Sequence, residues 1–235
     1  MKLTTVLFDL DGTLLPMDQD EFVKYYLGLL GKKLAPYGYD PRVLAGNIWA
    51  GTAAMVKNDG SCTNEEVFWT KFSEFYTENV RKDEPIFREF YENEFIGAKA
   101  ACGFNPKAAE AVAAIKARGL RVVLATNPLF PAVATENRIR WAGLTPQTFE
   151  LYTTYENSSR CKPNPGYYQD ILDRLGVCAE ECLMVGNDAI EDTAAGKLGI
   201  KVFLLTDCLI NKDQRDLSGY PQGSFDELLA YIKTL

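Results

Sequence analysis

Four short polar clusters bring together the carboxylate, hydroxyl, amide and ammonium groups from which an active site can be built. The first is an Asp-Leu-Asp-Gly-Thr string that begins at Asp9 and follows a short apolar run. Because Asp9 and Asp11 lie two residues apart at the end of a predicted strand, their side chains can point the same way. Gly12 lets the backbone approach a ligand closely, with Thr13 beside it. This string is much more specific than an acidic pair in a turn, and it marks both aspartates as candidate catalytic residues.

The other three clusters each have an ordinary structural interpretation as well as a chemical one. They are Thr126-Asn127, Lys162-Pro163, and Gly186-Asn187-Asp188 with Asp192. Thr126 and Asn127 precede a proline of the kind that begins a helix, and the residues after Lys162 can cap and begin another. Asp188 and Glu191 have the spacing of a helix capping box. Each cluster becomes a candidate site only if the fold brings it to the others.

The elements around these clusters alternate between strands and helices. Apolar runs of strand length are predicted at 3–10, 120–126, 182–185 and 200–205, and glycines such as Gly199 end the helices between them. This alternation predicts an α/β fold, with a doubly wound, Rossmann-like parallel sheet and helices on both faces. In sheets of this kind ligands bind beyond the carboxyl ends of the strands. We therefore expect the four clusters to meet at that edge.

A long helical stretch interrupts the alternation after the first strand. Aromatic and aliphatic residues recur in it at helical spacing, as they do within 22–30. The sequence therefore predicts an α-helical insertion over residues 16–102, and a core made of residues 1–15 and 103–235. We expect the aromatic residues to form the interior of the insertion rather than a docking face.

Composition excludes several classes of function. The chain has 235 residues, a formal net charge of -7 at pH 7 and no histidine. Its negative charge disfavours nucleic acid and anionic membranes as partners, and the lack of histidine excludes Ser-His-Asp and Cys-His catalysis. Its six cysteines do not have the spacing of a zinc site or a disulfide framework. No apolar stretch approaches the ~20 residues of a membrane span. We expect a cytoplasmic protein with no nucleic-acid, membrane or evident protein partner.

Taken in order, the four clusters resemble the four signature motifs of the haloacid dehalogenase-like superfamily, in its phosphatase branch with a helical, C1-type cap. The resemblance covers the whole chain and includes the position of the helical insertion, between the first and second motifs. It implies a magnesium-dependent phosphatase that hydrolyses a small phosphorylated metabolite through an aspartyl-phosphate intermediate. The insertion would then be a cap domain over a catalytic core, with hinges near Pro16 and Gly103.

The resemblance also implies a role for individual residues. Asp9 matches the nucleophile of the family, and Asp11 matches its general acid and base. Thr126 matches the hydroxyl that holds the phosphoryl oxygens, and Asn127 lies beside it in the expected substrate site. Lys162 matches the cation that orients nucleophile and phosphate.

Magnesium is expected at Asp9, Asp11 and Asp188, since relatives bind it through two carboxylates and the backbone carbonyl of the second aspartate. Asp192 is expected to support the metal or the lysine. The residue before Asp188 is an asparagine, whereas many relatives have glycine directly followed by aspartate. The sequence therefore leaves open whether Asp188, Glu191 or Asp192 completes the metal shell.

Two alternative functions stay open at this point. A phosphomutase of the same superfamily would retain both aspartates, whereas its dehalogenases and phosphonate hydrolases lack an aspartate at the position of Asp11. A non-catalytic sensor of a phosphorylated ligand would retain the fold, although four intact clusters argue against it.

Overall fold

A five-stranded sheet lies at the centre of the computed structural model, which describes residues 2–77 and 79–235. Its strands are β1 (Thr5–Phe8), β2 (Arg121–Leu124), β3 (Cys182–Gly186), β4 (Lys201–Leu205) and β5 (Gln222–Gly223). They are arranged in the order β2-β1-β3-β4-β5, and all neighbouring pairs are parallel. The direction of winding therefore reverses between β1 and β3, which is where ligands bind in open sheets of this kind.

Eight α-helices are present in the part of the chain that the structure describes. They are α1 (Gln19–Leu34), α2 (Pro41–Val56), α3 (Asn64–Ser73), α4 (Glu84–Glu92), α5 (Pro106–Ala117), α6 (Ala132–Trp141), α7 (Pro165–Leu175) and α8 (Phe225–Ile232). Short 3-10 helices occupy Ala35–Tyr37, Val80–Asp83, Glu94–Ala101, Pro146–Thr148, Ala179–Glu181 and Thr193–Leu198. Among the described residues, no helix combines the length and apolarity needed to cross a bilayer.

Helices cover both faces of the sheet, as the sequence predicts. On one face α5 and α8 pack against residues such as Phe8 and Phe203. On the other face α7 packs against alternate strand residues such as Leu7 and Met184. Because successive residues of a strand point to opposite faces, strands buried on both sides need the near-continuous apolar runs seen in this sequence. The prediction of a doubly wound α/β core is confirmed.

The predicted strands are found. β1, β2 and β4 are shorter than their apolar runs, whereas β3 extends one residue further, and β5 was not predicted because it has only two residues. The predicted α-helix ending at Gly199 is wrong. That segment is a 3-10 helix over Thr193–Leu198. The Asp188 carboxylate accepts the amide of Glu191 at 2.8 Å, as a capping box would require, and also that of Ile190 at 2.7 Å. These bonds hold a turn in place of the first turn of an α-helix.

Helices α1 to α4 form the cap, and most of its aromatic residues are buried as expected. Phe72 is fully buried, and its ring contacts those of Phe68, Trp69 and Phe87 at centroid distances of 5.5 to 5.9 Å. Edge-to-face and offset contacts of this kind add to the free energy gained by burying apolar surface. A few aromatic residues are instead exposed, among them Phe75.

The two chain segments that join cap and core lie side by side. The Gly103 amide donates to the carbonyl of Pro16 at 2.7 Å, and Met17 and Cys102 form an antiparallel bridge next to it. This pairing supports the predicted division into a core of residues 1–15 and 103–235 and a cap of residues 16–102. The division itself stays a prediction.

A second contact between cap and core is made by the first turn of α3. The amide of Asn64 donates to the carbonyl of Ser158 at 2.8 Å, and its buried side chain donates to the carbonyl of Pro128 at 3.2 Å. The next amide, that of Glu65, donates to the carbonyl of Tyr155 at 2.9 Å. Core carbonyls thus accept hydrogen bonds from N–H groups at the start of α3 that have no partner within the helix. These bonds hold the cap beside the loop after β2.

Candidate active site

Lys162 links two carboxylates at the carboxyl edge of the sheet. Its Nζ lies 2.8 Å from Oδ1 of Asp9, which directly follows β1, and 2.7 Å from Oδ1 of Asp192, which follows β3. The Lys162 side chain is fully buried, and both carboxylates are buried too. Buried charges of this kind are retained only when they are paired and hydrogen-bonded, so the three side chains form one unit.

This unit carries more negative than positive charge. Burial raises the pKa of Asp9 to about 7; Lys162 opposes this shift, while Asp192 and Asp11 add to it. Burial alone would lower the pKa of Lys162, but the two facing carboxylates outweigh burial and raise it, so the ammonium group stays charged. One lysine facing two carboxylates leaves one negative charge in excess when both are ionised. A further cation near Asp9 would therefore be bound favourably.

Thr13 and Asn187 fix the loop that carries the first two aspartates. Thr13 Oγ1 donates to Asn187 Oδ1 at 2.9 Å and lies 3.3 Å from Asp9 Oδ2. Both oxygens are within hydrogen-bond distance of this hydroxyl, and Asp9 Oδ2 keeps lone pairs for a ligand even when it accepts the Thr13 hydrogen. Gly12 has a φ of +83°, and a Cβ there would lie 2.3 Å from the Asn187 amide nitrogen. Glycine is thus required at position 12, and Asn187, which the sequence marked only as a departure from the family pattern, acts as a brace.

Asp192 uses both of its oxygens within the protein. Its Oδ1 contacts Lys162, and its Oδ2 accepts the backbone amides of Asn187 and Asp188, each at 2.9 Å. A Cβ on Gly186 would lie 2.0 Å from that same Oδ2. Asp192 therefore holds Lys162 and the loop after β3 in place, which fits the supporting role expected of it better than that of a metal ligand.

The loop after β2 reaches the same edge through Asn127. The Asn127 Nδ2 donates to Glu191 Oε1 at 2.9 Å, and its Oδ1 accepts the backbone amide of Lys162 at 3.3 Å. The carbonyl of Thr126 accepts the hydroxyls of Thr153 at 2.6 Å and of a buried tyrosine at 2.8 Å. The structure thus brings all four sequence clusters to one edge of the sheet.

A buried arginine, Arg138, contacts Asp11, and this contact was not predicted from the sequence. Arg138 Nη1 donates to Asp11 Oδ2, while Asp11 Oδ1 is buried and has no hydrogen-bond partner among the described residues. Burial raises the pKa of Asp11, and Arg138 and then Lys162 oppose that shift. Arg138 lies four residues after Ala134 on the buried stripe of α6. Because α6 carries both Arg138 and Arg140, the sequence alone does not show which of the two is buried.

The family profile described as haloacid dehalogenase-like hydrolase matches residues 3–199, which include all four clusters. The chain belongs to this family. The relationship predicted from the four motifs is thereby confirmed.

Individual relatives of this haloacid dehalogenase-like hydrolase span its whole length. A phosphoglycolate phosphatase from Colwellia psychrerythraea is 25% identical over 232 residues, covering 97% of this chain and 96% of its own. The structure of CbbY from Rhodobacter sphaeroides in complex with phosphate has a TM-score of 0.62 at 19% identity, covering 98% of this chain and 99% of its own. A 2-haloacid dehalogenase from Pseudomonas syringae pv. Tomato DC3000 also has a TM-score of 0.62, at 16% identity, covering 99% and 98%. These two structures establish the fold alone, since each is less than 25% identical to this chain.

Family membership and the full-length relative together support a phosphatase, which agrees with the prediction made from the sequence. The dehalogenase shows why the fold does not decide the reaction by itself. The reaction must therefore be argued from the side chains at the carboxyl edge of the sheet.

The predicted magnesium ligands all lie at this edge of the sheet. Among the described residues, no group of three or more His, Cys, Asp or Glu side chains is placed to hold a metal. The predicted set needs only the carboxylates of Asp9 and Asp188, because Asp11 would contribute its backbone carbonyl. That carbonyl accepts a hydrogen bond from the side-chain amide, Nε2, of Gln19 at 3.4 Å. Oxygen donors suit magnesium, and the excess negative charge beside Asp9 favours a cation, so these residues fit the metal.

Proposed function

We propose that this chain is a magnesium-dependent phosphatase that hydrolyses a small phosphorylated metabolite through an aspartyl-phosphate on Asp9. The observation that carries this proposal is the buried contact of Lys162 with both Asp9 and Asp192 at the carboxyl edge of the sheet. A carboxylate that must attack an anionic phosphate needs positive charge beside it, and a permanently charged lysine supplies part of that charge.

Asp9 is the nucleophile in this proposal. Lys162 holds its Oδ1, and Oδ2, which lies 3.3 Å from the Thr13 hydroxyl, keeps lone pairs for the attack on phosphorus. In the first half-reaction an oxygen of Asp9 forms a bond to phosphorus while the bond from phosphorus to the leaving-group oxygen breaks. The Thr126 hydroxyl and the neighbouring Asn127 would hold the phosphoryl oxygens during this step.

Asp11 is the general acid and then the general base. It gives its proton to the departing alkoxide in the first half-reaction, and in the second it takes a proton from the attacking water. The water oxygen then bonds to phosphorus, the bond from phosphorus to Asp9 breaks, and inorganic phosphate leaves. Burial, which raises the pKa of Asp11, favours the protonated form that the first step requires.

Magnesium would be held by Asp9, Asp188 and the backbone carbonyl of Asp11. When bound, it would offset the negative charge of the nucleophile and of the phosphoryl oxygens. We assign Asp188 rather than Asp192 to this set because both oxygens of Asp192 are already bonded to Lys162 and to backbone amides.

The substrate in this proposal is a small metabolite bound between cap and core. The name of the Colwellia psychrerythraea relative makes 2-phosphoglycolate the first compound to test. We also propose a cytoplasmic location, because all six cysteines are free thiols, as is usual in a reducing compartment.

The proposal is tested by measuring phosphate release from 2-phosphoglycolate, sugar phosphates, nucleoside monophosphates and 4-nitrophenyl phosphate, with magnesium and with excess chelator. We expect release that requires magnesium and that ranks the substrates. The Asp9→Asn variant, purified in parallel, measures any contaminating phosphatase. Absence of release from every compound by a folded protein would contradict the proposal and favour a phosphomutase or a sensor.

A further inference from the structure

Arg138 is a buried charge that none of the four clusters contains. Its side chain is 1% exposed, and it extends from α6 in the core to the carboxylate of Asp11. Arginine is almost never fully buried unless it is paired, because removing its charge from water costs free energy. The position therefore calls for a reason other than packing.

Three contacts besides Asp11 hold the guanidinium of Arg138 in one place. Nε lies 3.3 Å from the carbonyl of Ala134, and Nη2 lies 3.3 Å from Oγ1 of Thr135. The face of the Phe130 ring lies 4.3 Å from the central carbon of the guanidinium. A planar group fixed through its edge and its face presents Nη1 in a defined direction.

We propose that Arg138 is a positioning residue that orients the Asp11 carboxyl group for proton transfer. This inference rests on the proposed function, in which Asp11 is the general acid. Because an arginine is a permanent donor with no acceptor, the Asp11 oxygen that it contacts, Oδ2, can only accept. The proton of the neutral acid must therefore reside on Oδ1, the buried oxygen that has no partner among the described residues. Arg138 thus selects which oxygen carries the proton and where it points.

In the first half-reaction the orientation should matter only where the leaving group needs a proton. An alkoxide or a phenolate must be protonated as it departs, whereas 4-nitrophenolate is stable enough to leave without one. The second half-reaction uses Asp11 as a base with either substrate, so the comparison is made on kcat/KM, which covers only the steps up to the aspartyl-phosphate. A purely structural residue would lower kcat/KM for both substrates alike, and the ratio of the two kcat/KM values therefore reports the orientation of Asp11.

The experiment compares wild type and Arg138→Met on these two aryl phosphates at saturating magnesium. We expect kcat/KM to fall by about 100-fold or more for phenyl phosphate, in line with the contribution of general acid catalysis, and by less than about tenfold for 4-nitrophenyl phosphate. In an Asp11→Asn background the same substitution should leave the ratio unchanged, because there is no proton left to orient.

Arg140→Met is the matched control, because Arg140 lies on the same helix, is 52% exposed and is paired with Glu136 at 2.9 Å. It should leave kcat/KM for both substrates unchanged. If Arg138→Met does not fold, Thr135→Val and Arg138→Lys provide the same test. The first removes one anchor of the guanidinium, the second replaces the fork by a point charge, and each should lower the ratio in the same direction by a smaller factor.

Equal losses of kcat/KM on both substrates, or no loss on either, would overturn the positioning role while leaving the proposed phosphatase intact. A wild-type protein that releases phosphate from no compound of the panel proposed above would overturn the proposed function and this inference together. The two failures are therefore distinguishable in one set of measurements.

Discussion

The interior of the cap and the carboxyl edge of the sheet are both buried, but the first is made of aromatic side chains and the second of charged ones. In the cap, Phe72 lies among aromatic rings and makes no use of charge. At the sheet edge, Lys162 and Arg138 are equally buried, and each faces a carboxylate. Ring contacts stabilise a fold without directing any chemistry. Buried ion pairs contribute little net stability, yet they fix charges in defined positions.

This difference predicts that stability and activity can be separated by region. Substitutions in the cap interior should lower the free energy of unfolding and leave the chemistry of the folded fraction nearly unchanged. Substitutions at the sheet edge should remove activity and leave the fold intact.

The largest effect is expected for Asp9→Asn, since a carboxamide cannot form an acyl phosphate. Turnover should fall by about 10⁴-fold or more, as it does when other catalytic nucleophiles are removed. Phosphate release measures this loss, and full activity in the variant would exclude a covalent intermediate on Asp9.

The same variant should be more stable than wild type in chelator at pH 8. The folded-state pKa of Asp9 is about 7, above its usual value of 3.8, so the stability this group contributes at low pH is lost as the pH rises to 7. The neutral asparagine avoids that loss. Thermal unfolding should show a gain for the variant at pH 8 that shrinks toward pH 5, and a variant less stable at pH 8 would contradict the excess of negative charge.

Asp11→Asn should lower kcat by about 10²-fold to 10⁴-fold, the usual contribution of general acid-base catalysis, with little change in KM or in the magnesium requirement. The amide retains the backbone carbonyl that we assign to the metal, so only the proton is lost. Steady-state kinetics over a magnesium titration checks both points. Asp20→Asn is the matched control, because that exposed carboxylate lies at the start of α1 and pairs with Lys212 at 3.5 Å.

Phe72→Ala should lower the free energy of unfolding by about 3–5 kcal/mol, the usual cost of removing a buried aromatic side chain. The kcat of the folded protein should change by less than about threefold, because the rings that Phe72 contacts, among them Phe68, Trp69 and Phe87, belong to the cap interior. Urea unfolding measures the first quantity and phosphate release the second. Phe75→Ala is the control, since that ring is 44% exposed and should cost less than about 1 kcal/mol. A large loss of kcat in Phe72→Ala without unfolding would show that the cap interior takes part in the chemistry.

The residues at the sheet edge could be predicted from the sequence because the patterns that mark them, strand ends and helix starts, are local. Asp9, Lys162 and Asp192 each follow or precede a recognisable strand or helix start, and the topology of a parallel sheet then places them at one edge. The helix start after Lys162 was predicted for the same reason, because the side chain of Asn164 bonds an amide two residues away.

The parts that sequence could not predict depend on which faces pack together. Arg138 looks like one of several charges on α6 until the buried stripe of that helix is known. Asn64 looks like an ordinary first-turn residue, yet it contacts core carbonyls that lie 64 or more positions away in the chain. The residue at 187 departs from the family pattern, and its bracing role depends on Thr13, 174 positions away. Long-range contacts of this kind leave no periodic signal in a single sequence.

The smallest effect, and the most specific test of the sheet edge, is the pH dependence of magnesium binding. Burial raises the pKa of Asp9 to about 7, so a proton and the metal compete for its carboxylate near neutral pH. Above pH 7 the carboxylate is ionised and magnesium affinity should be constant. Below pH 7 the affinity should fall by up to about tenfold per pH unit, since one proton must be displaced for each metal ion bound.

Calorimetric titration with magnesium between pH 5.5 and 8 would check this slope without relying on turnover. Asp188→Ala should bind magnesium more weakly at every pH while retaining the slope, because it removes a ligand but not the titrating group. Asp9→Asn should lose the slope along with much of the affinity. A wild-type affinity that stays flat from pH 8 down to 5.5 would mean that Asp9 is already fully ionised beside Lys162, and that the buried edge carries no excess charge for a metal to offset. The sheet edge would then differ from the apolar cap interior in its paired charges, but not in carrying an unbalanced negative charge.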